Sequence, residues 1–261
     1  MKRVVGFLVF LSLFLALSAQ ENVTVLEGMT GTQLYADPNG NIYLVNGSKL
    51  SKLDANGNFL RSFDDSFSGD IASVDVDNPL KIMVFYRESG KIVFLDDRLS
   101  PVMAPLDLFS HGFTSVGLAA YSTDNLIWLY DGSSNELVCI DFYFKEKTRN
   151  RLNISDFHPS ELLACQERVL LLNNPNDGIY LFDAFGTLIK RIPLQADRIT
   201  GYSKGRIAYR VVNRIVGEYD HISLSDSQKE FAAWDCIDAL WNMAMAKLYY
   251  LDKEHRLTIV N

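Results

Sequence analysis

The chain has 261 residues, 48% of them hydrophobic and 22% charged, with a formal net charge of −7. That balance belongs to a folded globular chain and excludes a disordered one. The acidic excess argues against nucleic acid as a partner, since phosphate binding needs a basic footprint.

The N-terminus reads as a separate object. Lys2 and Arg3 precede an almost unbroken apolar run from Val4 to Leu17, and small residues Ala16, Ser18 and Ala19 lead into polar Gln20-Glu21-Asn22. This is the order of a cleaved export signal, and the run is short for a bilayer span. Residues 1–19 are therefore expected to be a signal peptide and residues 20–261 a single domain. Loss of Lys2 and Arg3 makes the mature chain more acidic by two charges. Val23-Thr24-Val25-Leu26 follows as a lone strand with no unit of its own.

Six repeats come next. Each carries a short apolar strand, beginning at Ile42, Ile82, Ile127, Leu170, Ile207 and Leu248, so the period is 37 to 45 residues. A second strand follows each one. It ends at Asp54, Asp96, Asp141, Asp183 and Asp220, and in the sixth unit at Asn261. Before each pair lies a stretch of small and aliphatic residues, as in Ala72-Ser73-Val74 and Gly117-Leu118-Ala119-Ala120. After the pair a turn often leads to a fourth strand, most clearly in Asp54-Ala55-Asn56-Gly57 and Asp183-Ala184-Phe185-Gly186. Four short strands in about 40 residues predict the blade of a propeller rather than the coil of a solenoid. The fold class expected is all-β, a six-bladed β-propeller. The sixth unit lacks its outermost strand, and Val23–Leu26 supplies it, closing the ring.

Cys139, Cys165 and Cys236 each lie in or beside apolar runs and read as free buried thiols, with one pair an open alternative in an exported protein. Asn22-Val23-Thr24, Asn46-Gly47-Ser48 and Asn153-Ile154-Ser155 match the glycosylation acceptor pattern, which matters only in a eukaryotic secretory pathway. Lys145 to Arg151 reads as a basic solvated loop.

Asp37-Pro38-Asn39-Gly40-Asn41-Ile42-Tyr43-Leu44-Val45 and Lys52-Leu53-Asp54-Ala55-Asn56-Gly57 resemble the repeats of NHL-type six-bladed propellers. The segments Ser73 to Ile82, Phe94 to Ser100 and Gly178 to Thr187 are similar to exported propellers of Bacteroidota, over most of the mature chain. That resemblance implies a periplasmic partner of outer-membrane machinery, the type IX secretion translocon among them. It assigns no functional residue.

No catalytic motif, metal-ligand spacing or cofactor fingerprint is present. The inner strands offer mainly Asp75 and Asp77, with Ser73 and Thr200, which is too few ligands for a channel calcium cage. His111 and His158 fall in inter-blade connections, His221 and His255 near hairpin turns. The function expected is therefore a non-catalytic periplasmic interaction module without cofactor, docking on a protein complex and not spanning the membrane. A channel-site hydrolase or lyase and a ligand or glycan sensor remain the alternatives. Candidate partner contacts are Phe109 and Phe113 in the long connection from Pro101 to Ser115, and the aromatic run Phe142, Tyr143 and Phe144. Phe231 and Trp234 follow Ser225 to Glu230, where Ser227 is expected to cap a short helix. Tyr86 and Arg87 at a strand end complete the set.

Overall fold

The computed structural model describes residues 23–122, 124–211, 215–230 and 236–260. The predicted signal segment and the candidates Phe231 and Trp234 lie outside the described residues.

Six four-stranded antiparallel sheets form the blades of a propeller. From the innermost strand outward, blade 1 is Gln33–Ala36, Ile42–Asn46, Lys49–Leu53 and Phe59–Asp64. The innermost strands of blades 2 to 6 are Ser73–Asp75, Val116–Tyr121, Glu161–Ala164, Arg198–Ser203 and Cys236–Asn242. Blade 6 runs Cys236–Asn242, Lys247–Asp252 and Leu257–Val260, and its fourth strand is Val23–Leu26. Val23 stands opposite Val260 and Leu26 opposite Leu257. The N-terminal strand thus closes the ring as the sequence predicts.

The core is a set of layers between blades. One layer joins Tyr43, Val45 and Leu50 of blade 1 to Val74, Val84 and Val93 of blade 2. Another joins Leu118 and Trp128 of blade 3 to Leu162, Leu172 and Phe182 of blade 4. A strand with a neighbour on each side buries both faces. This is why Ile82–Tyr86 and Gly178–Phe182 are apolar throughout instead of alternating.

The recurrent aspartates build the hairpins to the outermost strands. Asp54 Oδ1 accepts the amides of Asn56 and Asn58, each at 2.9 Å. Asp96, Asp141 and Asp183 repeat this pattern with the residues two and four positions on. The residue three positions on takes positive φ, which costs Gly57 and Gly186 nothing and is imposed on Leu99 and Phe144.

Three local expectations need correction. The basic run is a strand, Glu146–Arg151, not a loop. An outermost strand meets solvent, so its charges carry no penalty, and Lys147 and Arg149 pair with Asp141 and Glu136 at 2.8 and 2.6 Å. Ser225–Glu230 is likewise the outermost strand of blade 5, with Ser227 inside it rather than capping a helix. The connection from Pro101 to Ser115 holds a two-residue outermost strand, Leu106–Asp107, and one 3-10 turn, Phe109–His111. Cys139 and Cys165 are buried free thiols, and Cys236 is a half-buried one.

Candidate functional site

Two regions offer themselves: the central channel and the face formed by the turns.

The channel is a cavity of about 440 Å³ lined by the innermost strands. It is more charged than the sequence suggested. Besides Asp75 and Asp77, its wall holds Glu161, Asp197, Arg198, Arg210 and Asp238, with Arg87 at its edge. Asp238 is 4% exposed and pairs with Arg198, itself 12% exposed, and with Arg210 at 2.9 Å. Arg198 also lies 3.7 Å from Glu161 and stacks over the Tyr35 ring at 4.6 Å. These residues were missed because each sits alone in an ordinary apolar repeat. Only the side-by-side packing of blades 4, 5 and 6 brings them together.

Most of these polar groups clasp one blade to the next. Asp238 accepts the amide of Leu34 at 2.7 Å, joining blade 6 to blade 1. The Tyr35 hydroxyl accepts from Val74, and Asp75 accepts from Tyr121 at 3.2 Å. Glu161 accepts from Ile199 at 2.7 Å, and the Thr200 hydroxyl donates to the Trp241 carbonyl at 3.3 Å. Between blades 3 and 4 the contact is apolar, through Leu118, Ala120, Leu162 and Ala164. Innermost strands have amides facing the next blade with no ladder partner, and a buried amide left unpaired is costly.

The channel carboxylates ionise late. Burial first, and then the neighbouring Asp77, push Asp75 up to about 7. Desolvation first, and then Glu167, push Asp77 up to about 6, although the residue is exposed at the channel mouth. Glu161 rises to about 6 because burial outweighs the attraction of Arg198. Among the described residues no group of three or more His, Cys, Asp or Glu side chains is arranged to hold a metal ion. No histidine lines the channel. His111 stacks on Phe144 with ring centroids 3.5 Å apart, and His221 lies beside Tyr202.

The candidate aromatics divide. Tyr86 and Phe113 are buried in inter-blade layers and offer no surface, because strand ends and connections here still pack between blades. Phe142 packs on Phe94 and Tyr121, and the Lys81 ammonium sits 4.0 Å over its ring. Phe144 is held by its stack on His111. Phe109 is partly exposed beside Gly90, and Arg87 is exposed at the channel edge. Among the described candidates Tyr143 alone projects fully, at 90% exposure.

Tyr143 has company that the sequence analysis missed. Phe185 and Ile222 occupy the same position, two residues after the turn aspartate, in blades 4 and 5, at 67% and 72% exposure. Leu224 is exposed beside Ile222. Asn150 of blade 3 donates to the Phe185 carbonyl at 2.7 Å, and Lys190 of blade 4 donates to the His221 carbonyl at 2.8 Å, so the three turns form one arc. The aspartate spacing was the signal that could have found them. Leu80 and Met245 are exposed on turns of the same face, whereas Phe67 is exposed on the opposite one.

The architecture is that of the six-bladed β-propellers. The chain is similar in fold to a streptogramin B lyase, with a TM-score of 0.59 and 11% identity over 92% of this chain and 98% of that one. A catalytically inactive virginiamycin B lyase from Staphylococcus aureus with quinupristin gives 0.62 and 10% over 93% and 99%. The Neurospora crassa Pan2 WD40 domain gives 0.60 and 8% over 91% and 94%. At such identities the likeness extends to the fold alone. No family model and no curated protein sequence matches the chain.

Proposed function

We propose that this propeller is a non-catalytic interaction module of the cell envelope, exported to the periplasm and docked on an outer-membrane protein complex. The type IX secretion translocon is the assembly that the sequence resemblance suggests. The observation carrying this proposal is the arc of Tyr143, Phe185, Ile222 and Leu224, apolar side chains left in water at equivalent turns of three successive blades. Loop-borne aromatic and aliphatic groups of this kind are what protein interfaces bury. The channel supports the same view, because Asp75, Glu161 and Asp238 are engaged in holding blades together.

The test is purification from the native membrane fraction of the parent and of a Tyr143→Ser/Phe185→Ser double variant. The parent is expected to retain a stoichiometric partner and the variant to lose it while melting at the same temperature. Recovery of the parent alone, at full abundance, would count against the proposal.

A channel-site enzyme is the second reading, favoured by an open cavity carrying carboxylates that titrate near neutrality. It requires Asp75 and Asp77 to be needed for turnover, not for blade contacts.

A further inference from the structure

The apolar arc has an acidic centre. The connections from first to second strand in each blade, and from third to fourth in blades 1 to 5, lie on one side of the disc, since neighbouring strands are antiparallel. Tyr143, Phe185, Ile222 and Leu224 therefore share a face with the channel mouth at which the inner strand of blade 2 ends. Asp75 and Asp77 stand there, with Glu167 contributed by a turn of blade 4.

Two of the cations nearby are committed elsewhere. Lys81 sits over the rings of Phe142, Tyr121 and Phe94, at 4.0, 5.1 and 5.3 Å, and donates to Asn125. Arg168 pairs with Asp124 at 3.1 Å. Glu167 accepts the backbone amide of Lys204. Among the described residues no cation pairs with Asp75 or Asp77. Desolvation first, and then a neighbouring carboxylate, raise the proton affinity of both aspartates, and an arriving positive charge offsets both effects. A bare metal ion does not suit the mouth, which lacks a converging ligand set. A cation on a flexible stem does, because the cavity of about 440 Å³ behind the mouth has room for its head group.

We infer that the partner presents a lysine or arginine side chain to the Asp75–Asp77 mouth while its flanking apolar residues cover Tyr143, Phe185, Ile222 and Leu224. The inference rests on the docking role proposed above and names the chemistry of the docked segment. Apolar cover supplies affinity, and the central charge supplies register and orientation.

Calorimetric titration of the mature chain with two synthetic nonapeptides tests this. One has a central lysine between leucines, the other norleucine in place of the lysine. The lysine peptide is expected to bind about tenfold more tightly, a difference of about 1.4 kcal/mol. Asp77→Asn is expected to abolish that preference, and Tyr143→Ser/Phe185→Ser to weaken both peptides. Equal affinities, or no binding of either peptide up to about 1 mM, would overturn the inference. So would n-butylamine alone binding as tightly as the lysine peptide, since the site would then serve a small amine. A native partner retained by Asp77→Asn but lost by the arc variant would leave the docking role standing and remove only the charge.

Discussion

The channel residues carry more structural weight than their number suggests. Asp238 is almost fully buried between two guanidinium groups and also accepts the Leu34 amide. A buried ion pair gains little over an apolar packing of the same shape, but removing one member leaves the others uncompensated. Asp238→Ala strands Arg198 and Arg210 and orphans an amide at the ring's closing interface. It is expected to destabilise the fold by about 3 kcal/mol in urea denaturation. A variant as stable as the parent would mean that channel water replaces the carboxylate at no cost. Asp75 and Glu161 hold comparable positions in blades 2 and 4, although neither pairs as closely with a cation.

The element on which most depends is the four-residue strand Val23–Leu26. Without it Leu257–Val260 becomes an open edge, and Leu26 leaves the layer it shares with Leu251, Leu257 and Ile259. Gly57 of blade 1 is fitted to this strand. A Cβ built on it would lie 1.8 Å from Leu26 Cδ1, and its φ is +86°. Gly57→Val is therefore expected to lower the melting temperature in the same direction as deletion of the N-terminal strand, and to promote aggregation through the exposed edge. Normal melting of both variants would show that the ring closes without this contact.

At this scale the sequence was legible where one pattern recurred. The second strands of the blades are apolar because both faces are covered, and the turn aspartates repeat because each must hold two amides. The outermost strands of blades 1, 4 and 6 were read from the turns at Asp54 and Asp183 and from the lone strand Val23–Leu26, but those of blades 3 and 5 were not legible. Glu146–Arg151 and Ser225–Glu230 are polar because they meet solvent, so they carry no hydrophobic signal and read as loop and helix start. The channel network escaped for a different reason. Glu161, Arg198 and Asp238 are 37 and 40 residues apart along the chain and meet only once three successive blades pack side by side. Tyr143 was found as part of an aromatic run, whereas Phe185 and Ile222 are single residues whose turn position, not type, sets their exposure.

For the whole molecule, two sets of carboxylates oppose each other as pH changes. The turn aspartates Asp54, Asp141 and Asp220 are held below the usual carboxylate range. For Asp54 the Asn58 side chain is the main cause, for Asp141 the Lys147 ammonium, and for Asp220 the Ser223 amide. Their contribution is present above the unfolded value of about 4 and is lost as pH falls through the folded one. The channel acids Asp75, Asp77 and Glu161 behave in the opposite sense, with folded values of about 7, 6 and 6 against about 4 when unfolded. Their contribution is complete below pH of about 4 and is lost as pH rises through 6 to 7, because ionisation is then easier in the unfolded chain. Stability should therefore peak in mildly acidic solution, between about pH 4 and 6, and decline toward pH 8. Asp77→Asn removes one of the late-ionising groups and relieves its repulsion of Asp75. The variant should gain on the parent as pH rises from 5 to 8, a trend readable from melting temperatures across that range. A constant difference between the two proteins, or a parent most stable at pH 8, would show that water in the channel already solvates these carboxylates as the bulk does. The same measurement bears on the docked state, since a basic partner side chain at this mouth would stabilise the ionised pair and flatten the alkaline decline.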